Sequence, residues 1–388
     1  MVKVSHSRYF KALCFGILCV CALVALTGCS QQAKPEAPQE IWTNKELTPD
    51  QKAEQLVAKM SDAEKVGQLI MFGMQGTAVN DDVRYMLSEY KLGGIILFDR
   101  NMQSKDQVKT LITDLQKTAR QSEKMPLLVA VDQEGGQVAR MRDALTQVPA
   151  AQTLGQGQPA EAAALALTAG KELKELGFNV NFAPVADLGL PYERSYGTTP
   201  DQVIPFVEAV GKAYHQAGLI YSLKHFPGIG RATTDLHKTG NEITASRAEL
   251  EATDLKPYEV LIPKSNTDDF MVMVSHASYP GLDANLPASL SPAIMQDLLR
   301  KKLGFKGVII TDDMEMGAVA NHYGFADMSV KALQAGADIV MLCQDYGHTA
   351  EGYNAILKAV RSGTISQERL NEAVKHVIAL KLAHNLNW

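Results

Sequence analysis

The chain has 388 residues, of which 46% are hydrophobic and 21% are charged, and its formal net charge at pH 7 is −5. This ordinary globular composition excludes a disordered chain, and the acidic balance argues against nucleic acid as a partner. The length suffices for one large α/β barrel or for two modest domains.

The amino-terminal segment has the layout of an export signal. Three cations flank the start of an apolar run over residues 12–26, which is short for a membrane span. The run ends in Leu-Thr-Gly-Cys at 26–29, which resembles the lipobox of bacterial lipoproteins. The resemblance implies that residues 1–28 are a signal peptide and that Cys29 is acylated and begins the mature protein. An uncleaved anchor or a chance cysteine is the alternative. The cations are Lys3, Arg8 and Lys11.

Residues 29–48 are polar and contain proline, so we predict a tether between the lipid on Cys29 and a folded body. Four of the five cysteines lie at or before position 29, which leaves Cys343 in the body and no disulfide framework. Loss of the three leader cations moves the net charge from −5 to −8. These features predict an extracytoplasmic protein, anchored by lipid to a bacterial outer membrane or cell membrane.

Strand-length apolar runs alternate with helix-length amphipathic segments along residues 49–388. Eight apolar runs separated by helices are typical of a parallel sheet covered on both faces, and they predict a single-domain (β/α)8 barrel. An open doubly wound sheet is the alternative. The predicted strands are Gln68–Met74, Gly94–Phe98, Leu127–Val131, Val180–Pro184, Ser222–Phe226, Met271–Ser275, Val308–Thr311 and Ile339–Cys343. The predicted helices include Lys105–Arg120, Ala160–Leu176, Gln202–Ala217, Arg247–Ile262, Pro292–Leu303, Ser329–Ala335, Glu351–Arg361 and Gln367–Ala383.

The barrel is preferred because polar residues recur where the predicted strands end. In a barrel these ends converge on one face, where the active sites of this fold lie. The residues concerned are Asp99, Arg100, Asp132, Asp187, Lys224, His225, His276, Asp312 and Asp313.

Two segments carry candidate catalytic chemistry. In KHFPGIGRATTDLHKT (224–239), a strand runs into a glycine-containing loop that presents Asp235 and His237. A carboxylate can orient an imidazole and stabilise its charged form, which suits a general acid and base, although a solvated polar loop is the alternative. The second segment ends a strand with Asp312 and Asp313, of which one could be a nucleophile or base; helix capping is the alternative.

These motifs together resemble family 3 glycoside hydrolases, and most closely the β-N-acetylhexosaminidase branch. The resemblance extends from about Leu56 to the last helices and implies a barrel fold and a carbohydrate substrate. Its landmarks are LGGIILFDRN (92–101), VDQEGGQVARM (131–141), NFAPVADL (181–188), ERSYG (193–197), KHFPGIG (224–230), DLH (235–237), VSHASYPGLD (274–283) and GFKGVIITDDMEMGA (304–318).

The resemblance also implies a role for each matching residue. Asp312 is the nucleophile that forms a covalent glycosyl-enzyme, and Asp235 with His237 forms the acid/base dyad. The sugar in the first subsite is bound by Asp132, Arg194, Lys224 and His225. Asp132 can accept hydrogen bonds from vicinal hydroxyls, while the two cations are donors that also keep Asp312 ionised.

Chain length bears on the source of the acid. Two-domain members of the family take a Glu from a domain after the barrel, but 76 residues follow Asp312 here and are needed to finish the barrel. The 228–237 loop is therefore its expected source. This loop departs from the branch, because Ile229 stands where a His is expected and Leu236 where a small hydroxyl residue is common.

We therefore predict a retaining exo-β-N-acetylglucosaminidase acting on peptidoglycan fragments or chito-oligosaccharides. The alternatives are a β-glucosidase or a glycoside phosphorylase on the same fold, and a lipoprotein that binds muropeptides without turnover. No metal or organic cofactor is expected, because Cys343 and the dispersed histidines show no ligand spacing. We expect a monomer.

Overall fold

The computed structural model describes residues 37–122, 125–233, 236, 238 and 240–386, and its centre is a closed barrel of eight parallel strands. The predicted (β/α)8 fold is confirmed, and an open sheet is excluded because β8 pairs with β1. The strands are β1 (Ile70–Gly73), β2 (Gly94–Ile96), β3 (Leu128–Val131), β4 (Val180–Asn181), β5 (Ile220–Phe226), β6 (Phe270–Val274), β7 (Val308–Asp313) and β8 (Ile339–Leu342).

Helices surround the barrel. They are α1 (Pro38–Thr43), α2 (Pro49–Lys59), α3 (Asp62–Gln68), α4 (Asp81–Tyr90), α5 (Lys105–Ser122), α6 (Ala151–Leu154), α7 (Pro159–Leu176), α8 (Pro200–Gln216), α9 (Arg247–Ala252), α10 (Lys256–Leu261), α11 (Gly317–Ala320), α12 (Phe325–Ala335), α13 (Tyr346–Arg361) and α14 (Gln367–Ala383). A π-helix spans Ala293–Lys302, and single 3-10 turns occur at Asp99–Asn101, Ile262–Lys264 and Ala288–Leu290.

The strands form because both of their faces are buried. Every residue of β1, β3, β6 and β8 is buried, which suits continuous runs of Val, Ile, Leu and Met between the barrel interior and the helices. The barrel closes where β1 pairs in parallel with β8, with Met71 opposite Met341 and Phe72 opposite Leu342. The carboxyl ends of all eight strands therefore open on one face.

Local sequence sets several helix ends. Thr48 accepts a hydrogen bond from the Gln51 backbone and Gln51 accepts one from the Thr48 backbone, a capping box that begins α2. At the carboxyl end of α7, Gly177 has a φ of 104°. Residues with a side chain disfavour this left-handed conformation, which ends the helix.

The helix predicted over Arg247–Ile262 is two helices in the structure, α9 and α10. The segment 247–262 breaks at Thr253, whose φ of −129° and ψ of −80° are not helical. Pro257, in the first turn of α10, has no N–H with which to continue the hydrogen-bond ladder. The predicted strand Val180–Pro184 is also shorter, because the Ala183 N–H donates to Asn181 O of the same segment at 2.9 Å rather than to a neighbouring strand.

The folded body begins before residue 49. The predicted tether, residues 29–48, extends over α1, in which Ile41 and Trp42 are buried against the body. Trp42 Nε1 donates to Leu386 O at 3.2 Å, so α1 contacts the end of the chain. Among the described residues, no helix is both long and apolar enough to cross a membrane.

A buried carboxylate joins the amino ends of β7 and β8 to α14. Asp338 accepts hydrogen bonds from Ile309 N at 2.9 Å and Arg369 Nη2 at 2.9 Å, and it contacts Arg300 and His376. Although burial raises the pKa of a carboxyl group, these cations hold the pKa of Asp338 well below its usual range. The carboxylate therefore stays charged and fixes the last helix to the barrel.

Candidate active site

A cavity of about 360 Å³ opens at the carboxyl end of the barrel. Its floor is formed by apolar strand residues, and its walls carry charged side chains from four segments: the loops after β3 and β4, and the strands β5 and β7. The charged and polar residues that line it include Asp132, Glu134, Arg140, Arg194, Lys224, His225, Asp312 and Asp313.

Lys224, on β5, lies at the centre of these charges with 3% of its side chain exposed. Its Nζ is 2.9 Å from Asp132 Oδ1 and 2.6 Å from Glu134 Oε1. Burial lowers the pKa of a lysine, but here the two carboxylates outweigh it and raise the pKa of Lys224. The ammonium group is thus charged and held between two acceptors.

Glu134 connects Lys224 to Arg194. The guanidinium of Arg194 binds it in a bidentate manner, with Nε to Oε2 and Nη2 to Oε1 both at 2.8 Å. Burial raises the pKa of Glu134, but Lys224 and Arg194 more than offset this and hold it well below its usual range. A bidentate pair fixes the plane of the guanidinium, so Arg194 is oriented before any ligand enters.

His225 is oriented from behind by Asp187, whose side chain is fully buried. The imidazole Nδ1 is 2.7 Å from Asp187 Oδ2, and Asp187 also accepts the backbone N–H groups of His225 and Ile229. A carboxylate can only accept, so Nδ1 carries the proton and Nε2 is directed toward Arg194, at 3.4 Å from Nη2. Asp187 therefore positions both the ring and the first turn of the loop after β5.

The two carboxylates at the end of β7 have opposite electrostatics. For Asp312, burial raises the pKa, but nearby His225, His276 and Lys224 and the 2.9 Å hydrogen bond from Asp313 N produce a net lowering. For Asp313, burial and the neighbouring carboxylates of Glu315 and Asp312 together raise the pKa to about 6. Asp312 therefore remains ionised to a lower pH than Asp313.

The predicted site residues fall into two groups. Asp132, Arg194, Lys224, His225 and Asp312 are brought together around the cavity, as the convergence of strand ends predicts. Asp235 and His237 lie outside the described residues, as does Cys29. The described members of the same loop, Thr233 and Leu236, line the cavity.

Three residues of this face were not singled out as site residues from the sequence. Glu134 lies two positions after Asp132, and in an extended segment such residues share a side, which is a signal that could have identified it. Arg140 contacts Asp132 with Nη2 at 3.8 Å from Oδ2 and pairs with Asp99 at 3.1 Å. Tyr192 stands on the rim with 65% of its surface exposed and a left-handed φ of 62°, for which the sequence gives no signal.

The described residues of the 228–237 loop that line the cavity are mainly apolar. Ile229 is 6% exposed and lines the cavity, with its backbone N–H bound to Asp187. Leu236 is similarly buried, and its carbonyl accepts the N–H of Ala318 in α11. The unusual isoleucine therefore contributes packing and shape to the cavity and no side-chain hydrogen bond.

The family described as the glycosyl hydrolase family 3 N terminal domain matches residues 62–380. The chain is 33% identical over 334 residues to beta-hexosaminidase A of Pseudoalteromonas piscicida, covering 79% of this chain and 56% of that protein. It is 36% identical over 284 residues to a beta-hexosaminidase of Tolumonas auensis, covering 71% of this chain and 83% of the relative.

A similar solved structure is a glycoside hydrolase family 3 β-N-acetylglucosaminidase from Paenibacillus sp. str. FPU-7. The TM-score is 0.81 at 36% identity, and the match covers 85% of this chain and 64% of the other. The chain thus spans little more than half of the Pseudoalteromonas protein and about two thirds of the Paenibacillus one, but most of the Tolumonas relative.

The raised pKa of Asp313 makes stability depend on pH. Because its pKa is about 6 in the folded protein against 3.8 ordinarily, the unfolded chain loses the proton first, and the folded state loses stability as pH rises between these values. Asp313→Asn removes this effect at nearly constant size. We expect the unfolding free energy of the variant, relative to the wild type, to increase by about 2–3 kcal/mol from pH 4 to pH 7 in urea denaturation. A constant difference would show that Asp313 ionises equally in both states.

Proposed function

Because the chain belongs to glycosyl hydrolase family 3, we propose that it is a retaining, exo-acting β-N-acetylglucosaminidase. Its proposed substrates are peptidoglycan fragments or chito-oligosaccharides that carry a terminal N-acetylglucosamine. The observation that carries the proposal is an ionised Asp312 in a cavity whose other walls present Asp132, Lys224 and Arg194. The names of the relatives from Tolumonas and Paenibacillus support the choice of sugar.

The charged cluster is suited to bind the hydroxyl groups of a terminal sugar. Asp132 engages Lys224 through Oδ1, which leaves acceptor capacity on Oδ2 for a sugar hydroxyl. Arg194 uses Nε and Nη2 on Glu134, so its remaining N–H groups can donate to the ligand. The floor of Ile96, Met273 and Met341 closes the inner end of the cavity, which suits an exo mode of attack.

Asp312 is the proposed nucleophile. Its carboxylate attacks the anomeric carbon while the bond to the departing oxygen breaks, which forms a covalent glycosyl-enzyme. A low pKa keeps the attacking oxygen unprotonated, and the N–H of Asp313 on Oδ1 fixes the carboxylate plane. Asp313, with its raised pKa and its hydrogen bonds to Glu315 N and Cys343 N, is better suited to shape the turn after β7.

The proposed acid and base is His237, oriented by Asp235. His237 gives its proton to the departing oxygen, and in the second step it takes a proton from the water that releases the sugar. The support is the sequence motif together with the position of the flanking residues Thr233 and Leu236 on the cavity wall.

The alternative that a specific observation favours is a β-glucosidase. Ile229 places an apolar side chain on the cavity wall where a hydrogen-bonding residue is typical of the branch, which weakens the argument for an acetamido contact. Hydrolysis of nitrophenyl glucoside and nitrophenyl N-acetylglucosaminide by the purified protein separates the two. Faster cleavage of the glucoside would contradict our proposal and indicate a β-glucosidase. Sugar phosphate formed in phosphate buffer would indicate a phosphorylase.

The nucleophile can be tested with a matched pair of variants. Asp312→Asn should lower turnover of nitrophenyl N-acetylglucosaminide by several orders of magnitude, because an amide cannot form the covalent intermediate. Asp313→Asn, one residue away, should lower it much less. Circular dichroism melting checks that both variants are folded. The reverse order of effects would assign the nucleophile to Asp313.

The dyad is tested by varying the leaving group. A dinitrophenolate departs without a proton and a sugar alkoxide does not, so His237→Ala should slow disaccharide cleavage severely and dinitrophenyl N-acetylglucosaminide cleavage only modestly. Deglycosylation then limits the rate with the activated substrate, and a burst of phenolate should appear in stopped-flow absorbance. Asp235→Ala should show the same pattern more weakly. Equal losses on both substrates without a burst would mean that His237 is not the acid.

We further propose that the protein is an extracytoplasmic lipoprotein, with residues 1–28 removed and Cys29 acylated. The support is the order of basic, apolar and small residues that ends at Cys29. Cys29→Ala should abolish fatty-acid labelling in cells and leave an unprocessed precursor. Cys343→Ala, which removes the buried cysteine of the barrel, should leave the labelling unchanged. Labelling that persists in Cys29→Ala would overturn the assignment.

A further inference from the structure

Three potential metal ligands meet at the amino end of the barrel, opposite the cavity. They are His215 in the last turn of α8, Asp269 immediately before β6, and His384 immediately after α14. One ligand atom from each lies within 4.8 Å of the others. The residues are 54 and 115 positions apart in sequence, which is why their spacing gives no metal motif.

The ring of His384 is held with one nitrogen available. Its Nε2 is 3.0 Å from Asp268 O. A carbonyl oxygen can only accept, so Nε2 carries the hydrogen and the neutral ring has its lone pair on Nδ1. A backbone carbonyl behind the distal nitrogen is the usual partner of a histidine that binds a metal.

His215 and Asp269 are close without being hydrogen-bonded. Their Nδ1 and Oδ1 atoms are 3.6 Å apart, which is long for a hydrogen bond. Two ligands of a tetrahedral zinc ion, each about 2.0–2.1 Å from the metal, are separated by a little over 3 Å. The Asp269 carboxylate is in turn held by Asn266, whose Nδ2 donates to Oδ1 at 3.1 Å.

We propose that His215, Asp269 and His384 form a binding site for a divalent transition-metal ion, with zinc the expected ligand. Two imidazoles and one carboxylate suit zinc, whereas magnesium and calcium prefer oxygen ligands alone. The side chain of His215 is 46% exposed, so it can move toward the ion and solvent can supply a fourth ligand. The sequence led us to expect no metal, and this proposal replaces that expectation.

The proposed ion has a structural role. It joins the end of α14 to the end of α8 and to the segment that enters β6, three parts of the chain that are remote in sequence. The cavity lies at the opposite end of the strands, so bound metal should stabilise the fold and leave glycoside cleavage nearly unchanged. An ion that binds only the folded state raises the melting temperature with its concentration.

The test uses the full-length protein without a histidine tag, stripped of metal with a chelator. After incubation with zinc and desalting, mass spectrometry of metal content should give about one zinc per chain. The melting temperature should rise with zinc and not with magnesium. The double variant His215→Gln/His384→Gln should retain no zinc and show no zinc-dependent rise, and Asp269→Asn should bind at least about tenfold more weakly.

Matched controls keep the result interpretable. His322→Gln removes an exposed histidine at the other end of the barrel and should leave zinc binding at the wild-type level. The variants are compared with the wild type by circular dichroism in the metal-free state. If the double variant fails to fold, the zinc affinity of Asp269→Asn tests the proposal instead. A wild type that binds no zinc at micromolar concentrations would overturn the proposal. So would equal zinc content in the wild type and the variants.

Discussion

Lys224 has to remain charged although almost none of its side chain reaches solvent, and the carboxyl end of the barrel is arranged around that requirement. A buried ammonium is tolerated only when its partners are close and well oriented. Asp132 and Glu134 supply two such partners from the loop after β3, and Glu134 is itself shared with Arg194. One network of charges therefore holds the loops after β3 and β4 against β5.

The same network explains why two adjacent carboxylates differ. Asp312 faces the cations and histidines of β5 and the loop after β6, whereas Asp313 faces Glu315 and the end of β8. Adjacent strand residues point to opposite sides, so one step along β7 reverses the electrostatic environment. The strand geometry thus gives the two carboxylates, which both line the cavity, different surroundings, and Asp313 is the more readily protonated of the two.

The fold was predictable because eight apolar runs are each too short for a helix and are bounded by polar residues. Strand ends were less predictable. β4 stops early because the Ala183 N–H donates to Asn181 O of the same segment, which no residue type signals. The segment 247–262 reads as one amphipathic helix, but tertiary contacts of Asp254 with Arg231 accompany its break. Within the site, the strand-end residues were predicted, but Glu134 and the orienting role of Asp187 depend on contacts between distant segments. The dyad of Asp235 and His237 remains a prediction.

Cys343 immediately follows β8, beside the acidic turn after β7, and is the one cysteine in the described part of the chain. Burial raises the pKa of its thiol well above the ordinary value, and the neighbouring carboxylates of Asp313 and Glu315 add to the increase. Because oxidants and alkylating agents react with the thiolate, burial and the raised pKa make this sulfur slow to react in the folded state. The barrel can therefore persist in an oxidising compartment without forming disulfide-linked aggregates, and it should tolerate thiol-directed labelling reagents without modification of its core.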